Sequence, residues 1–252
     1  STNFKIEAEG IIYVLKVYEN TAEILELITA ENKILLALKN KDVHCSEIIA
    51  NNTGDYNSIN GNYIYRLLTF VSGTFLAETK HTATLMKSFG RTLADIDHSL
   101  YKLSNTSIKA KQTQWDLQHF QKNWKYLSDI PNASDRSLVD YFCLQFNEYV
   151  LPLRYEFRQS IIHNDANDWN VLVHNNSITG IIDFGDMCYS WLINELAVAL
   201  TYVLMDKENP LEIAKHIIKA YHIKLPLQEN EVDALYYLIA ARLCTSVLNS
   251  AH

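Results

Sequence analysis

One segment constrains this chain more than any other feature of its sequence. Residues 163–185 run from a loop rich in Asp and Asn, through two short apolar strands, to an Asp-Phe-Gly turn. Two such strands joined by a short polar turn predict a β-hairpin. We expect this hairpin to bring together three oxygen-bearing side chains, those of Asp165, Asn170 and Asp183.

These three side chains suit one kind of chemistry. A carboxylate can orient an attacking hydroxyl and accept its proton, and hard oxygen ligands can hold Mg²⁺ on the phosphates of a nucleotide. Phosphoryl transfer depends on positioning and charge neutralisation more than on covalent help from the protein. The segment therefore predicts a kinase.

Composition narrows the class of protein without naming a fold. A chain of 252 residues is long enough for one large domain or two modest lobes. A hydrophobic content of 48% and a charged content of 20% are ordinary for a globular protein. With 7 Gly and 4 Pro residues, the chain is poor in the turn residues that an all-β fold needs.

The net charge of −7 bears on the partners of the chain. Proteins that bind nucleic acid usually carry a basic patch or a high isoelectric point, so we expect no nucleic-acid partner. Long-range attraction instead favours a small molecule that bears an amine. A nucleotide must then be held by local positive charge.

Cysteine spacing and hydropathy bear on the cellular location of the protein. The cysteines are scattered without CxxC spacing, at Cys45, Cys143, Cys188 and Cys244. This pattern is typical of free thiols in a reducing cytoplasm. The sequence contains no run of about 18 apolar residues that would span a membrane, and its first residues lack the apolar core of a signal peptide. We therefore expect a cytoplasmic protein without a membrane partner.

The first third of the chain reads as mostly β. Residues 3–9 and 11–18 predict two strands, and apolar spacing predicts a helix across 21–39. A polar loop at 51–62 is followed by another predicted strand at 63–71.

From about residue 80 onward the apolar residues recur at helical spacing. They step by three or four through Leu85, Phe89, Leu93, Ile96, Leu100 and Leu103. More helices are predicted at 112–127, 134–150, 192–206, 210–222 and 229–250. A small β-rich region thus precedes a larger helical one, which the hairpin interrupts, and this order predicts an α+β fold.

Two strings around the hairpin carry a resemblance to a known family. Residues 163–170 match H-x-D-x-x-x-x-N, and residues 182–185 read I-D-F-G. Together with a strand lysine and a helix glutamate earlier in the chain, they resemble the aminoglycoside phosphotransferase and choline kinase family. The strings are most similar to its hydroxylysine kinase branch, whose members also occur fused to aminotransferases and are often labelled type II homoserine kinases.

The resemblance implies a bilobal, protein-kinase-like fold for nearly the whole chain. Its small, β-rich nucleotide-binding lobe is expected over residues 1–71, and its larger, mostly helical catalytic and substrate-binding lobe over 72–252. The implied activity transfers the γ-phosphate of ATP or GTP to the hydroxyl of an amino alcohol or hydroxy amino acid, such as hydroxylysine, homoserine, choline or ethanolamine. Fusion to another enzyme domain is a further implication.

The resemblance also assigns roles within the hairpin. It implies that Asp165 is the catalytic base and that Asn170 and Asp183 bind Mg²⁺. His163 is expected to support the loop through hydrogen bonds rather than to react.

Two residues of the β-rich region complete the implied nucleotide site. Lys16 shares a strand face with apolar neighbours, so its amine is expected to point to the interior of the sheet. The resemblance implies that it contacts the α- and β-phosphates and is held by an ion pair with Glu31. Glu23 and Glu26 are alternative partners on the same predicted helix.

Five residues are candidates for contact with the acceptor. Asp168 suits a substrate amine or a cap of local backbone N–H groups, and Trp169 suits a pocket wall or simple packing. Asp186 and Glu195 are further acidic candidates, and a carboxylate early in a helix, such as that of Glu195, is also stabilised by the helix dipole. Arg242 lies in an apolar helix and needs a partner, as a structural ion pair or as a clamp for a substrate carboxylate.

The pattern departs from the family in one respect, because no glycine-rich phosphate loop precedes Lys16. The missing loop supports one alternative, a non-catalytic module that binds a nucleotide or metabolite. The intact Asp165, Asn170 and Asp183 oppose it, because a module without catalysis has no chemical need for all three. A protein kinase is disfavoured because Asn167 stands where those enzymes usually place Lys, and because Asp183 is too close to the helix-like residues 192–197 for an activation segment.

Overall fold

An antiparallel sheet and one long helix form the N-terminal part of the protein. The computed structural model describes residues 1–39, 41 and 43–252. The N-terminal elements are strands β1 (Thr2–Ala8) and β2 (Ile11–Glu19), helix α1 (Ala22–Lys39), and strands β3 (Ile48–Ile49), β4 (Ser58–Asn60) and β5 (Tyr63–Thr69). The sheet order is β1-β2-β5-β3, and β4 also pairs with β5.

The register between β2 and β5 decides which side chains share a face of this sheet. The two strands are antiparallel, with Lys16 opposite Arg66 and Val14 opposite Leu68. Directly opposite residues of an antiparallel pair point to the same face. Arg66 contacts Glu31 of α1, so this face of the sheet meets the helix.

The rest of the chain is mostly helical around two small sheets. Its elements are β6 (Thr74–Phe75), α2 (Ala83–Leu100), α3 (Thr106–Ala110), α4 (Ala133–Tyr149), β7 (Gln159–Ile162), β8 (Val171–His174), β9 (Ser177–Ile181), β10 (Cys188–Trp191), α5 (Ile193–Leu204), α6 (Pro210–Lys224) and α7 (Glu229–Ala251). Strands β6, β8 and β9 form one sheet, and β7 pairs with β10 in the other.

Helix α5 lies in the interior of this helical part. Every residue from Ile193 to Thr201 is buried, as expected for a helix that is covered on all sides. Helices α2 and α6 pack closely at Gly90, where an added Cβ would collide with the backbone carbonyl of Ile217. The missing side chain of Gly90 therefore permits this helix contact.

The predicted α+β architecture is confirmed, with a small β-rich region before a larger helical one. The predicted helix at 112–127 differs in start and type, because Leu117–Asp129 forms a 3-10 helix that begins after Asp116. The Asp116 carboxylate caps this helix by accepting a hydrogen bond from the backbone N–H of Gln118. Within the described residues, none of the helices combines the length and the apolar character needed to cross a membrane.

Candidate active site

The hairpin of β8 and β9 brings the candidate residues to one place. Its turn is formed by Asn175 and Asn176, whose φ angles of 48° and 59° suit the tight two-residue turns that asparagine favours. The loop before β8 carries Asp165 and Asn170, and Asp183 follows β9. A hydrogen bond from the backbone N–H of Ile182 to the carbonyl of Asn170, at 2.9 Å, joins the two ends.

Asp165 and Asn170 are directly hydrogen-bonded. The Asn170 side-chain nitrogen donates to the carboxylate Oδ2 of Asp165 at 2.8 Å and to its backbone carbonyl at 2.9 Å. The side chain of Asn167 donates to the other carboxylate oxygen at 3.0 Å. Because the nitrogen of Asn170 is occupied in this way, its side-chain oxygen is left for another partner, such as a metal ion.

His163 connects the loop that carries Asp165 to the segment before Asp183, from the buried side of both. It is fully buried, its Nδ1 accepts a hydrogen bond from the backbone N–H of Asp165 at 3.2 Å, and its Nε2 contacts the carbonyl of Ile182 at 3.0 Å. An Nδ1 that accepts places the ring proton on Nε2, which then donates. The ring also packs edge-on against Phe184. His163 thus lies in a supporting position, out of reach of solvent.

Glu195 holds the backbone of the same loop. Asn164 adopts a left-handed φ of 65°, and its backbone N–H donates to the Glu195 carboxylate at 3.0 Å. Burial raises the pKa of Glu195, which is fully enclosed on α5. The suggestion that Glu195 contacts a substrate is therefore corrected, since its side chain lies in the core beneath the loop.

Asp183 and Lys16 form an ion pair at the edge of the β-rich region. The Lys16 amine lies 2.6 Å from Oδ1 of Asp183. Partial burial raises the pKa of Asp183, but the charge and hydrogen bond of Lys16 outweigh it and hold that pKa below its usual value. Asp183 is itself left-handed, with φ 64° and ψ 67°, a conformation that Asp tolerates better than most residues.

The expected Lys16–Glu31 ion pair is not formed. Glu31 instead accepts a hydrogen bond of 2.5 Å from Arg66, and both side chains are buried. The reason is the register, since Arg66 stands opposite Lys16 on the face that meets α1 and its longer side chain reaches Glu31. Lys16 instead forms its ion pair with Asp183.

Arg242 of α7 approaches the loop of residues 163–170, the candidate catalytic loop. Its guanidinium lies 3.3 Å from Oδ1 of Asp165 and donates to the carbonyl of Trp115 and the hydroxyl of Tyr202. Burial raises the pKa of Asp165, whereas the Asn167 hydrogen bond and the charge of Arg242 lower it, and the net shift is upward. Of the two partners foreseen for Arg242, the structure shows an ion pair.

The other acceptor candidates flank the loop. Trp169 is 57% exposed and packs against Phe75, with ring centroids 5.5 Å apart. Asp168 is half-buried, and its backbone carbonyl accepts from Ala77. Asp186 is also half-buried, next to the Asp-Phe-Gly turn. These positions leave a substrate role for Asp168, Trp169 and Asp186 as a prediction.

Sequence reasoning missed two cations near the site. Arg66 lies between Ile64 and Leu68 on the buried face of β5, and a charged residue in such an alternating pattern is the signal that could have found it. Lys111 donates through Nζ to the backbone carbonyls of Gly185 and Met187 and so fixes the turn after Asp183. Nothing in the local sequence marks Lys111.

A cavity of about 360 Å³ lies between the N-terminal sheet and the hairpin. Apolar side chains line much of it, among them Val14, Leu68, Phe70, Leu172 and Phe184. Lys16, Arg66 and Asp183 also line it. A slot with apolar walls and adjacent charged groups suits a nucleotide, whose base is flat and whose phosphates are anionic.

The donor set near the cavity fits a magnesium ion held partly by phosphate. Asp183 and Asn170 offer a carboxylate and an amide oxygen, both hard ligands. Among the described residues there is no group of three or more His, Cys, Asp or Glu side chains placed to hold a metal. Mg²⁺ commonly binds through one or two carboxylates together with substrate phosphates, so a small protein donor set is consistent with it.

Comparison with known proteins identifies the family. Residues 1–234 match the phosphotransferase enzyme family, APH. The chain belongs to this family. Its members transfer phosphate groups, which agrees with the hydrogen-bonded Asp165–Asn170 pair and with Asp183 in the lining of the cavity.

Similar sequences include kinases of small molecules. Hydroxylysine kinase of Mus musculus is 26% identical over 265 residues, covering 97% of this chain and 70% of the mouse protein. Hydroxylysine kinase of Xenopus laevis is 27% identical over 259 residues, which span 94% of this chain and 69% of that protein. Amicoumacin kinase of Bacillus subtilis (strain 168) is 27% identical over 218 residues, or 82% of this chain and 58% of that one.

Solved structures show the same fold. An amicoumacin kinase, hAmiN, in complex with AMP-PNP, Ca²⁺ and Ami has a TM-score of 0.77 at 15% identity, covering 99% of this chain and 77% of that one. A microcompartment-associated aminopropanol kinase has a TM-score of 0.76 at 16% identity, covering 99% and 86%. The predicted family and kinase-like fold are thus confirmed, and the chain is a phosphotransferase with an alcohol group as acceptor.

Proposed function

We propose that this chain is a Mg²⁺-dependent kinase that transfers the γ-phosphate of ATP or GTP to the hydroxyl of an amino alcohol or a hydroxy amino acid. The observation that supports it best is the Lys16–Asp183 ion pair in the lining of the cavity. The Asp165–Asn170 pair is joined to this lining by the backbone hydrogen bond from Ile182 to Asn170. The described cysteines are all unpaired, which fits a reducing cytoplasm as its location.

The nucleotide end of the reaction follows from the walls of the cavity. The base would occupy the apolar slot, with the phosphates directed to Lys16, which is then released from Asp183. Asp183 and the side-chain oxygen of Asn170 would hold Mg²⁺, which supplies charge neutralisation on the phosphates when bound. We assign residues 1–71 to nucleotide binding and 72–252 to catalysis and acceptor binding.

The acceptor end depends on Asp165. Its carboxylate accepts the proton of the substrate hydroxyl as the oxygen bonds to the γ-phosphorus and the bond from that phosphorus to the bridging oxygen breaks. Oδ1 of Asp165 is engaged by Asn167 and Arg242, whereas Oδ2 has one donor, Asn170. Each carboxylate oxygen has two lone pairs, so Oδ2 is the better placed to receive the hydroxyl.

An amine on the acceptor is supported by charge. Asp168 and Asp186 place half-buried carboxylates beside the catalytic loop, and the net charge of −7 attracts cations. The names of hydroxylysine kinase and aminopropanol kinase, both similar to this chain, also refer to amine-bearing alcohols.

A panel of acceptors tests the proposal. The protein is incubated with Mg²⁺ and ATP or GTP together with hydroxylysine, homoserine, 3-aminopropanol, choline, ethanolamine or an aminoglycoside, and release of ADP or GDP is followed. Each acceptor is matched with an alcohol that lacks the amine, such as ethylene glycol for ethanolamine. We expect turnover with at least one amine-bearing alcohol and much less with its match. Equal rates with and without the amine would contradict the acceptor class, and the absence of turnover with every acceptor would contradict the whole proposal.

A further inference from the structure

Two buried cations lie side by side in the nucleotide cavity. Lys16 on β2 and Arg66 on β5 are directly opposite each other, and both line the cavity together with Asp183. Lys16 is 6% exposed and Arg66 is 1% exposed. Lys16 has the proposed nucleotide role, and Arg66 is a second buried cation beside it whose described partner is Glu31.

The hydrogen bonds of Arg66 are incomplete. A guanidinium carries five N–H donors. Nη2 of Arg66 donates to Glu31, whereas Nε and Nη1 are enclosed and have no hydrogen-bond partner. Buried donors in folded proteins are nearly always paired, because a donor loses its hydrogen bonds to water on burial and must replace them. Two unpaired donors on one buried cation indicate that an acceptor belongs there.

The group remains a cation in this environment. Burial lowers the pKa of Arg66, but the charge and hydrogen bond of Glu31 outweigh burial, so that the pKa is raised. The aromatic ring of Tyr18 lies 5.7 Å from the guanidinium carbon and covers one side of it. The missing acceptor is therefore expected to be an anion.

The charges of the four ionised side chains at the end of the cavity also favour an anionic ligand. Lys16 and Arg66 carry two positive charges, and Glu31 and Asp183 carry two negative charges, so the four together are neutral. When Asp183 binds Mg²⁺, Lys16 and Arg66 are left with Glu31 as their carboxylate partner. The nucleotide phosphates, which approach a protein of net charge −7, then meet the local positive charge that they need.

We propose that Arg66 is a phosphate-binding residue of the nucleotide site. Its Nε and Nη1 donate to non-bridging oxygens of a nucleoside di- or triphosphate beside Lys16, while Nη2 stays on Glu31. Glu31 then acts by aiming Arg66 rather than Lys16. This inference rests on the proposed kinase function.

Binding of nucleotides and nucleosides separates this role from a structural one. Glu31→Gln keeps a polar side chain next to Arg66, and Glu31→Gln/Arg66→Met removes the cation without leaving a buried carboxylate unpaired. Dissociation constants are measured by calorimetry, with Mg²⁺, for ADP, GDP, adenosine and guanosine. We expect the double variant to bind its diphosphate about tenfold or more weakly than Glu31→Gln does, a loss of the size of one charge-assisted hydrogen bond. The matching nucleoside should bind both variants alike.

A second variant covers the case in which the double variant does not fold. Arg66→Lys keeps the charge and the partner Glu31 but has no Nε donor, so its ratio of diphosphate to nucleoside affinity should fall below that of the wild type. Circular dichroism checks the fold of each variant. An unchanged ratio in every folded variant, or an equal loss of diphosphate and nucleoside, would show that Arg66 is structural. If the wild type binds neither nucleotide, the proposed function itself fails, which is a different result from an unchanged ratio.

Discussion

At the scale of single residues, the proposed chemistry depends on the ionisation of Asp165. Burial raises its pKa, and Asn167 and Arg242 oppose that effect. Arg242 lies beyond residues 1–234, which match the family. The cation that touches the candidate base is thus supplied by the C-terminal part of helix α7.

Arg242→Gln should therefore change the pH dependence of the reaction. A base must be ionised to act, so activity falls as pH drops through its pKa. Removal of the Arg242 charge raises the pKa of Asp165, and the acidic limb of kcat/KM moves to higher pH. Profiles of kcat/KM against pH check this for the wild type, Arg242→Gln and Arg242→Lys.

The lysine variant keeps the charge and should keep the acidic limb near that of the wild type. Arg91→Gln, on an exposed position of α2, is the control for loss of a positive charge elsewhere. An Arg242→Gln enzyme that is slower at every pH by the same factor, with its acidic limb unmoved, would contradict the assigned influence on Asp165.

Elements set the geometry that single residues use. Helix α5 positions the catalytic loop through one carboxylate, because Glu195 accepts the backbone N–H of Asn164 while enclosed in the core. A loop held in a left-handed conformation at Asn164 depends on such a contact to remain in place.

Glu195→Ala should destabilise the protein by about 1–3 kcal/mol, because the Asn164 N–H loses its acceptor. Glu195→Gln keeps an acceptor oxygen and should cost less.

Burial raises the pKa of Glu195, so the folded state binds its proton more readily than the unfolded chain does. The stability penalty of the charged form is complete above the folded-state pKa, shrinks as pH falls below it and is gone below the unfolded-state pKa. Urea unfolding at pH 8 and pH 5 checks this pH dependence. Equal stabilities of the Glu195→Ala and Glu195→Gln variants would contradict the assigned hydrogen bond to Asn164.

The contact between α2 and α6 provides a test that does not involve chemistry. Gly90→Ala places a methyl group against the carbonyl of Ile217, and overpacking of this kind costs about 1–3 kcal/mol. Arg91→Ala, at the next and exposed position of α2, should change stability by about 0.5 kcal/mol or less. Thermal unfolding compares the two. Equal stabilities of Gly90→Ala and Arg91→Ala would contradict the close packing of α2 against α6 at Gly90.

The elements also show what the sequence could and could not predict. Apolar periodicity predicted α1, α2 and α4 to within a few residues, because each is a long helix whose apolar residues recur at a spacing of three or four. It missed β7 and β10, which have four residues each and are mostly buried on both faces. Pairings between distant residues were harder, since the Glu31–Arg66 and Asp165–Arg242 contacts join positions 35 and 77 residues apart. Strand register and helix packing determine those contacts, and local sequence does not record them.

At the scale of the whole molecule, the candidate site is built from both parts of the chain. The N-terminal sheet supplies Lys16 and Arg66, and the hairpin supplies Asp165, Asn170 and Asp183. The Lys16–Asp183 ion pair joins the two parts directly. Residues 1–234, which match the family, include all five of these side chains.

Asp165 is proposed as the base that drives transfer of a nucleotide phosphate to an amine-bearing alcohol. This role is tested by ³¹P NMR of the wild type and Asp165→Asn with Mg²⁺, ATP or GTP and the best acceptor of the panel. The wild type should produce a new phosphomonoester resonance. Asp165→Asn should form it on the order of 10²-fold more slowly, with an unchanged dissociation constant for ADP or GDP. Release of inorganic phosphate alone, or an Asp165→Asn rate equal to that of the wild type, would contradict this role.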